Sequence, residues 1–125
     1  MKPVSPAAAY ASMIPMLTEA AREVGYALAI HGSMARDLDV VAVPWTEDAA
    51  PAEQLILRLL AKTGTHLCDG GRGTETGEIE TVRGDVGAEM PHGRRAWTLF
   101  LGNGLYIDLS VMPRRSPASG KGDAT

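Results

Sequence analysis

The feature that most constrains this chain is a pair of short segments in which polar or acidic residues alternate with aliphatic ones. In Leu105-Tyr106-Ile107-Asp108-Leu109-Ser110-Val111-Met112, the residues Leu105, Ile107, Leu109 and Val111 stand two apart. Side chains two apart share one face of a strand, so these four define an apolar face, with Tyr106, Asp108, Ser110 and Met112 on the other. Upstream, Asp37-Leu38-Asp39-Val40-Val41-Ala42-Val43 sorts in the same way. Leu38, Val40 and Ala42 fall on one side, and Asp37, Asp39 and Val41 on the other. Strands of this kind belong to a sheet covered on one side and open on the other.

The last alternating segment has a partner. Arg95 to Leu101, a Gly102-Asn103-Gly104 turn and Leu105 to Met112 together predict a β-hairpin. In it Trp97 should share the apolar face with Leu99 and Leu101, and its indole N–H needs a partner if buried. Tyr26 to His31, an apolar run between Gly25 and Gly32, reads as a buried strand. Pro6 to Val24 reads as helical, with Met13, Met16, Leu17, Ala20, Ala21 and Val24 as its buried stripe. Pro15 either opens the main helix or kinks a longer one, and Gly25 ends it. A second helix runs from Asp48 or Ala49 to Lys62, with Pro51 in its first turn, Leu55, Ile56, Leu59 and Leu60 as its apolar face, and Gly64 closing it. Thr63 to Gly93 is glycine-rich and polar, with one candidate strand at Glu78 to Arg83. The expected architecture is therefore α/β (α+β): one domain over residues 1–113, a mixed twisted sheet of about four or five strands with the helices packed mainly on one face. Residues 114–125 lack large apolar anchors and are expected to form a disordered tail.

Composition narrows the function classes. A formal net charge of −3 gives no global positive field to draw nucleic acid or an anionic membrane, so phosphate contacts must come from local arginines or a bound metal. Cys68 is the only cysteine, which excludes an intrachain disulfide and suits a reducing compartment. The N-terminal sequence lacks the basic-then-apolar order of a signal peptide, and no apolar run approaches the roughly 20 residues of a membrane helix. The expected location is the cytoplasm.

If the two alternating strands are neighbours, Asp37, Asp39 and Asp108 converge on the open face. Clustered carboxylates repel one another, and a divalent cation relieves that repulsion. Mg²⁺ (or Mn²⁺) takes carboxylate oxygens and leaves positions for substrate phosphates, and such ions can clamp the oxygens of a phosphoryl or nucleotidyl transfer. The alternative is that the three acids simply solvate an exposed sheet face. His31-Gly32-Ser33 followed by Asp37-Leu38-Asp39-Val40, with Asp108 on a later strand, resembles the signature of the DNA polymerase beta-like nucleotidyltransferase superfamily. The resemblance implies that Gly32 and Ser33 approach a nucleoside triphosphate, that Asp37 and Asp39 hold the metals, and that Asp108 completes the site and activates the acceptor. The segment between Gly-Ser and the first Asp is shorter than the family's, with only Met34-Ala35-Arg36 intervening. Tyr26 through Trp45 also resembles small proteins encoded by bacteriophages, which would place the chain in the cytoplasm of a host.

Further residues carry alternatives. Arg36, His92, Arg94 and Arg95 are candidate phosphate ligands, since arginine pairs bidentately with phosphate, or else they are solvated loop charges. His31 is either a hydrogen-bonded core residue or a catalyst. His66-Leu67-Cys68-Asp69 offers metal-capable side chains but has no second pair at structural-zinc spacing. Trp45 and Trp97 read as packing residues, with base stacking a secondary role for Trp45. Three functions follow: a metal-dependent enzyme moving a nucleotidyl group to an unknown acceptor, a catalytically inactive nucleotide-binding module, and an interaction module that binds a protein partner or forms a homodimer.

Overall fold

The computed structural model describes residues 6–69, 72–73, 88–102 and 104–114. In chain order they form helix α1 (Pro6–Glu23), strands β1 (Tyr26–His31) and β2 (Asp37–Pro44), helix α2 (Ala52–Thr63), then β3 (His66–Asp69), β4 (Arg72–Gly73), β5 (Ala88–Glu89), β6 (Arg95–Gly102) and β7 (Leu105–Val111). The strands make one open mixed sheet in the order β1-β2-β7-β6-β3-β4, with β5 pairing to the start of β6. Only β2 and β7 run parallel among these pairs. This is the expected α/β arrangement, with both described helices on one face.

Alternation decides which face the helices cover. Leu38, Val40 and Ala42 of β2, Ile107, Leu109 and Val111 of β7, and Trp97 and Leu99 of β6 are buried in one cluster. Tyr10, Leu17, Ala20 and Ala21 of α1 and Leu55, Ile56, Leu59 and Leu60 of α2 complete it. Each large aliphatic side chain so buried contributes about 1.5–3 kcal/mol of transfer free energy. The β6–β7 hairpin forms as predicted, with a register irregularity between Phe100 and Gly102.

Several local expectations are corrected. Of the two alternatives for Pro15, the structure has the longer helix with Pro15 inside it; the proline sits on the exposed side, where water can satisfy the carbonyl that loses its donor. Met16 is 39% exposed, and Tyr10, at 0%, takes its place in the buried stripe. The chain leaves α1 through Gly25, whose φ of +93° suits glycine and where a Cβ would stand 2.5 Å from Thr46 Oγ1. β1 is not a buried strand: it pairs with β2 along one side, and Ala29 and His31 are exposed. The helix α2 starts later than predicted, with Pro51 as its N-cap, and ends on a left-handed Gly64 whose N–H reaches Leu60 O. β3 was hidden in the glycine-rich stretch because Leu67 is its single aliphatic residue and gives no periodicity. The candidate strand Glu78 to Arg83 and residues 115–125 lie outside the described residues. Arg114, assigned to the tail, instead donates to Ala49 O at 3.2 Å. No helix among the described residues is long and apolar enough to cross a membrane.

Candidate functional site

The register of the sheet assembles the acids. Asp39 of β2 stands directly opposite Asp108 of β7, and Asp37 stands opposite Tyr106. On the flanks, His31 of β1 pairs with Asp39, and Thr98 of β6 pairs with Asp108. His31, Asp39, Asp108 and Thr98 therefore form one row across four strands on the face that the helices leave open. Neighbouring positions in such a row are roughly 4.8 Å apart, the spacing of paired strands. Asp37 lies one step along β2 on the same face, beside a second row that contains Tyr106 and Phe100, whose rings are tilted at 38° with centroids 5.3 Å apart.

The loop that enters β2 is shaped around one carboxylate. Gly32 has a φ of +81°, and a Cβ there would lie 2.6 Å from Asp39 Oδ2, so a side chain would displace that oxygen. Ser33 Oγ accepts the Ala35 N–H at 3.1 Å, closing a tight turn. Met34 takes a φ of +60°, an uncommon conformation for a side-chain-bearing residue. Arg36 follows with an exposed side chain, while its carbonyl accepts the hydroxyl of Tyr10.

Burial pushes the Asp108 carboxyl above the ordinary carboxylate value of 3.8. The nearby charge of Asp37, a hydrogen bond with Asp37 and the charge of Asp39 push it the same way, and the Thr98 hydroxyl, which donates to Asp108 Oδ1 at 3.2 Å, opposes them. None of the three aspartates is in an ion pair among the described residues. Their donor chemistry, carboxylate oxygens repelling one another, suits a hard divalent cation. No three His, Cys, Asp or Glu side chains among the described residues are gathered into a set that could hold a metal ion unaided. Oxygens from a ligand would have to complete the coordination.

The other candidates separate by face. Arg94 lies on the acidic side and donates to Ser110 Oγ at 2.9 Å, two residues from Asp108 and so roughly 7 Å along the strand. Arg95 points the other way: it pairs with Glu53 of α2 at 2.6 Å and lies 4.9 Å from the Trp97 ring centroid. One residue of offset on a strand reverses the face, which removes Arg95 from the acids. His92 is exposed in the Pro91–Gly93 turn with a φ of +68°, beyond the far end of β6. Buried Trp97 has no hydrogen-bond partner for its indole nitrogen among the described residues, and neither has His66 Nδ1. Trp45 is not a packing residue: it is 76% exposed, and six residues of strand place it roughly 20 Å from Asp39, too far to stack a base held there.

Tyr10, Thr98, Phe100 and Tyr106 were not singled out from the sequence. Thr98 was readable, because Thr98 and Asp108 are equidistant in sequence from the centre of the Gly-Asn-Gly motif and pair when the two strands fold about it. The aromatic pair follows from the same folding. Tyr10 gave no signal, since it meets β7 only in three dimensions. Compared with known proteins, the chain matches no family model, no curated protein and no solved structure.

Proposed function

We propose that the protein is a metal-dependent nucleotidyltransferase-like enzyme that moves a nucleotidyl group from a nucleoside triphosphate to an unknown acceptor. The observation that carries this reading is the in-register placement of Asp39 against Asp108, with Asp37 on the same face and Gly32 pressed against the Asp39 carboxylate. Asp37 and Asp39 would hold Mg²⁺ or Mn²⁺, with the phosphates filling the remaining positions. The metal, when bound, supplies Lewis-acid polarisation of the phosphoryl oxygens and neutralises charge on the triphosphate. Gly32 and Ser33 leave room for the phosphates to approach β2, and Arg36 and Arg94 are the arginines placed to meet them. Asp108, whose proton affinity is raised by burial and by Asp37, is suited to take the proton of an attacking hydroxyl. Phe100 and Tyr106 offer an aromatic surface beside Asp37 for the base. The reading places the protein in the cytoplasm, of a host cell if it is phage-encoded, where nucleoside triphosphates and Mg²⁺ are available.

The test is incubation of the purified protein with each nucleoside triphosphate and Mg²⁺ or Mn²⁺, following pyrophosphate release and labelled nucleotide transfer. Transfer should fall by about 10²–10⁴-fold in Asp108→Asn if Asp108 is the base. Equal turnover in parent and Asp108→Asn would count against the assignment. A second reading, a nucleotide-binding module without chemistry, is favoured by the entry loop: residues 33–36 contain no helical turn whose N-terminus could receive the triphosphate. Thermal stabilisation by nucleotide and metal without pyrophosphate release would select it.

A further inference from the structure

The N-terminal ends of the two acid-bearing strands meet at a single atom of helix α1. The Tyr10 hydroxyl donates to the carbonyl of Arg36 at 2.5 Å and accepts the amide N–H of Tyr106 at 3.1 Å. Arg36 directly precedes Asp37, and Tyr106 is the residue opposite Asp37 in the β2–β7 ladder, two positions before Asp108. Tyr10 is fully buried, and both of its hydrogen bonds are partly shielded from water. A phenol can donate once and accept twice, and here it does both between strands that come together from distant parts of the chain. Beyond this point the parallel pairing of β2 and β7 stops at Asp37 and Tyr106.

We propose that the Tyr10 hydroxyl is the positioning group of the acidic site: by tying Arg36 to Tyr106 it fixes the spacing of Asp37 and Asp108. The ring supplies packing in the core, and the hydroxyl supplies register at the mouth of the site. Any slip of β7 against β2 would carry Asp108 past the β2 acids, and at this end Tyr10 adds a tie between the two main chains outside the ladder. The tie sets the geometry of the carboxylates whether or not they bind metal or nucleotide.

Tyr10→Phe keeps the ring and removes the tie. Hydrogen exchange should show the Tyr106 amide exchanging about tenfold faster or more in Tyr10→Phe, with the Leu109 amide unchanged. A double-mutant cycle then reads the spacing. Asp37→Asn should raise the melting temperature of the parent by relieving repulsion of Asp108, and that rise should shrink to roughly half or less in the Tyr10→Phe background. The same cycle between Tyr10→Phe and Glu53→Gln, on the other face, should be additive. An Asp37→Asn effect of equal size in both backgrounds would overturn the proposal and leave Tyr10 a packing residue. Should Tyr10→Phe fail to fold, the parent alone decides. A Tyr106 amide protected like that of Leu109 supports the tie, and one exchanging like a frayed strand end overturns it. These readouts involve neither nucleotide nor metal, so loss of the nucleotidyl-transfer reading and loss of this one would be seen separately.

Discussion

The two faces of the β2–β7 pair are built from alternate residues of the same strands, yet they do opposite work. On the covered face, Leu38, Val40, Ile107 and Leu109 are at most 2% exposed and are locked against both helices. On the open face, Asp37, Asp39, Asp108 and Ser110 stand half-buried, and the polar contacts there include those of Thr98 to Asp108, Arg94 to Ser110 and Asp37 to Asp108. The covered face contributes stability through area removed from water. The open face keeps like charges close together, an arrangement that costs stability unless something binds it. What separates the two roles is strand phase alone, because a one-residue shift would exchange them completely.

The largest effect should come from the covered face. Leu109→Ala removes a side chain that is 1% exposed and should cost about 2–5 kcal/mol in chemical denaturation. Ser110→Ala, the next residue but on the open face, removes only the acceptor of the Arg94 hydrogen bond and should cost about 0.5–1.5 kcal/mol. Similar costs at the two positions would mean that the two faces do not differ in burial.

Gly32→Ala should come next. It forces an alanine to φ +81° and brings its Cβ to 2.6 Å from Asp39 Oδ2, so both backbone and carboxylate must move. A loss of about 1–3 kcal/mol is expected from the backbone strain. Here the open face is struck through geometry rather than through area.

Much of this contrast was legible in the sequence. The alternation in Leu38 to Val43 and Leu105 to Met112 assigned every side chain of those strands to its face, and the Gly-Asn-Gly turn placed β6 beside β7. That β2 and β7 are neighbours was a condition suggested by their matching phase, and their parallel direction was not predicted, because no local pattern specifies which distant strands will pair. What stayed hidden was long-range or aperiodic. Tyr10 acts through a contact with Tyr106 at the other end of the chain. β3 has one buried aliphatic residue to announce it, and Trp45, at the end of β2, looked like core until its exposure was known. Arg94 and Arg95 were grouped as neighbours, although strand geometry places consecutive side chains on opposite faces.

A third effect is set by pH. The carboxyl of Asp108 is raised above 3.8 in the folded protein, chiefly by burial and by Asp37. The folded state therefore holds this proton more tightly than the unfolded chain does. Its contribution is favourable at low pH, and stability is lost as pH rises from near 3.8 through the elevated folded value. Asp108→Asn should flatten that part of the stability–pH curve and leave the protein no less stable at neutral pH. Chemical denaturation of both proteins across acid to neutral pH would check it. A slope unchanged by Asp108→Asn would show that other groups carry the titration.

The smallest effect should appear at Val41, which completes the contrast within a single dipeptide. Val40 is 1% exposed against the helices, whereas Val41 is half-buried on the open face, opposite Ser110 and one step along β2 from Asp39. Val→Thr keeps the branched shape that suits a strand and adds only a hydroxyl. At position 40 that hydroxyl enters the core without a partner and should cost about 1–3 kcal/mol. At position 41 it can reach water, and the change should stay within about 0.5 kcal/mol. Equal costs would mean that Val41 is covered in solution, by another segment of this chain or by a second molecule. That result would move the open face from a ligand site to an interface. A near-zero cost at Val41 beside a clear one at Val40 would leave the floor between the acidic row and Arg94 open to a ligand.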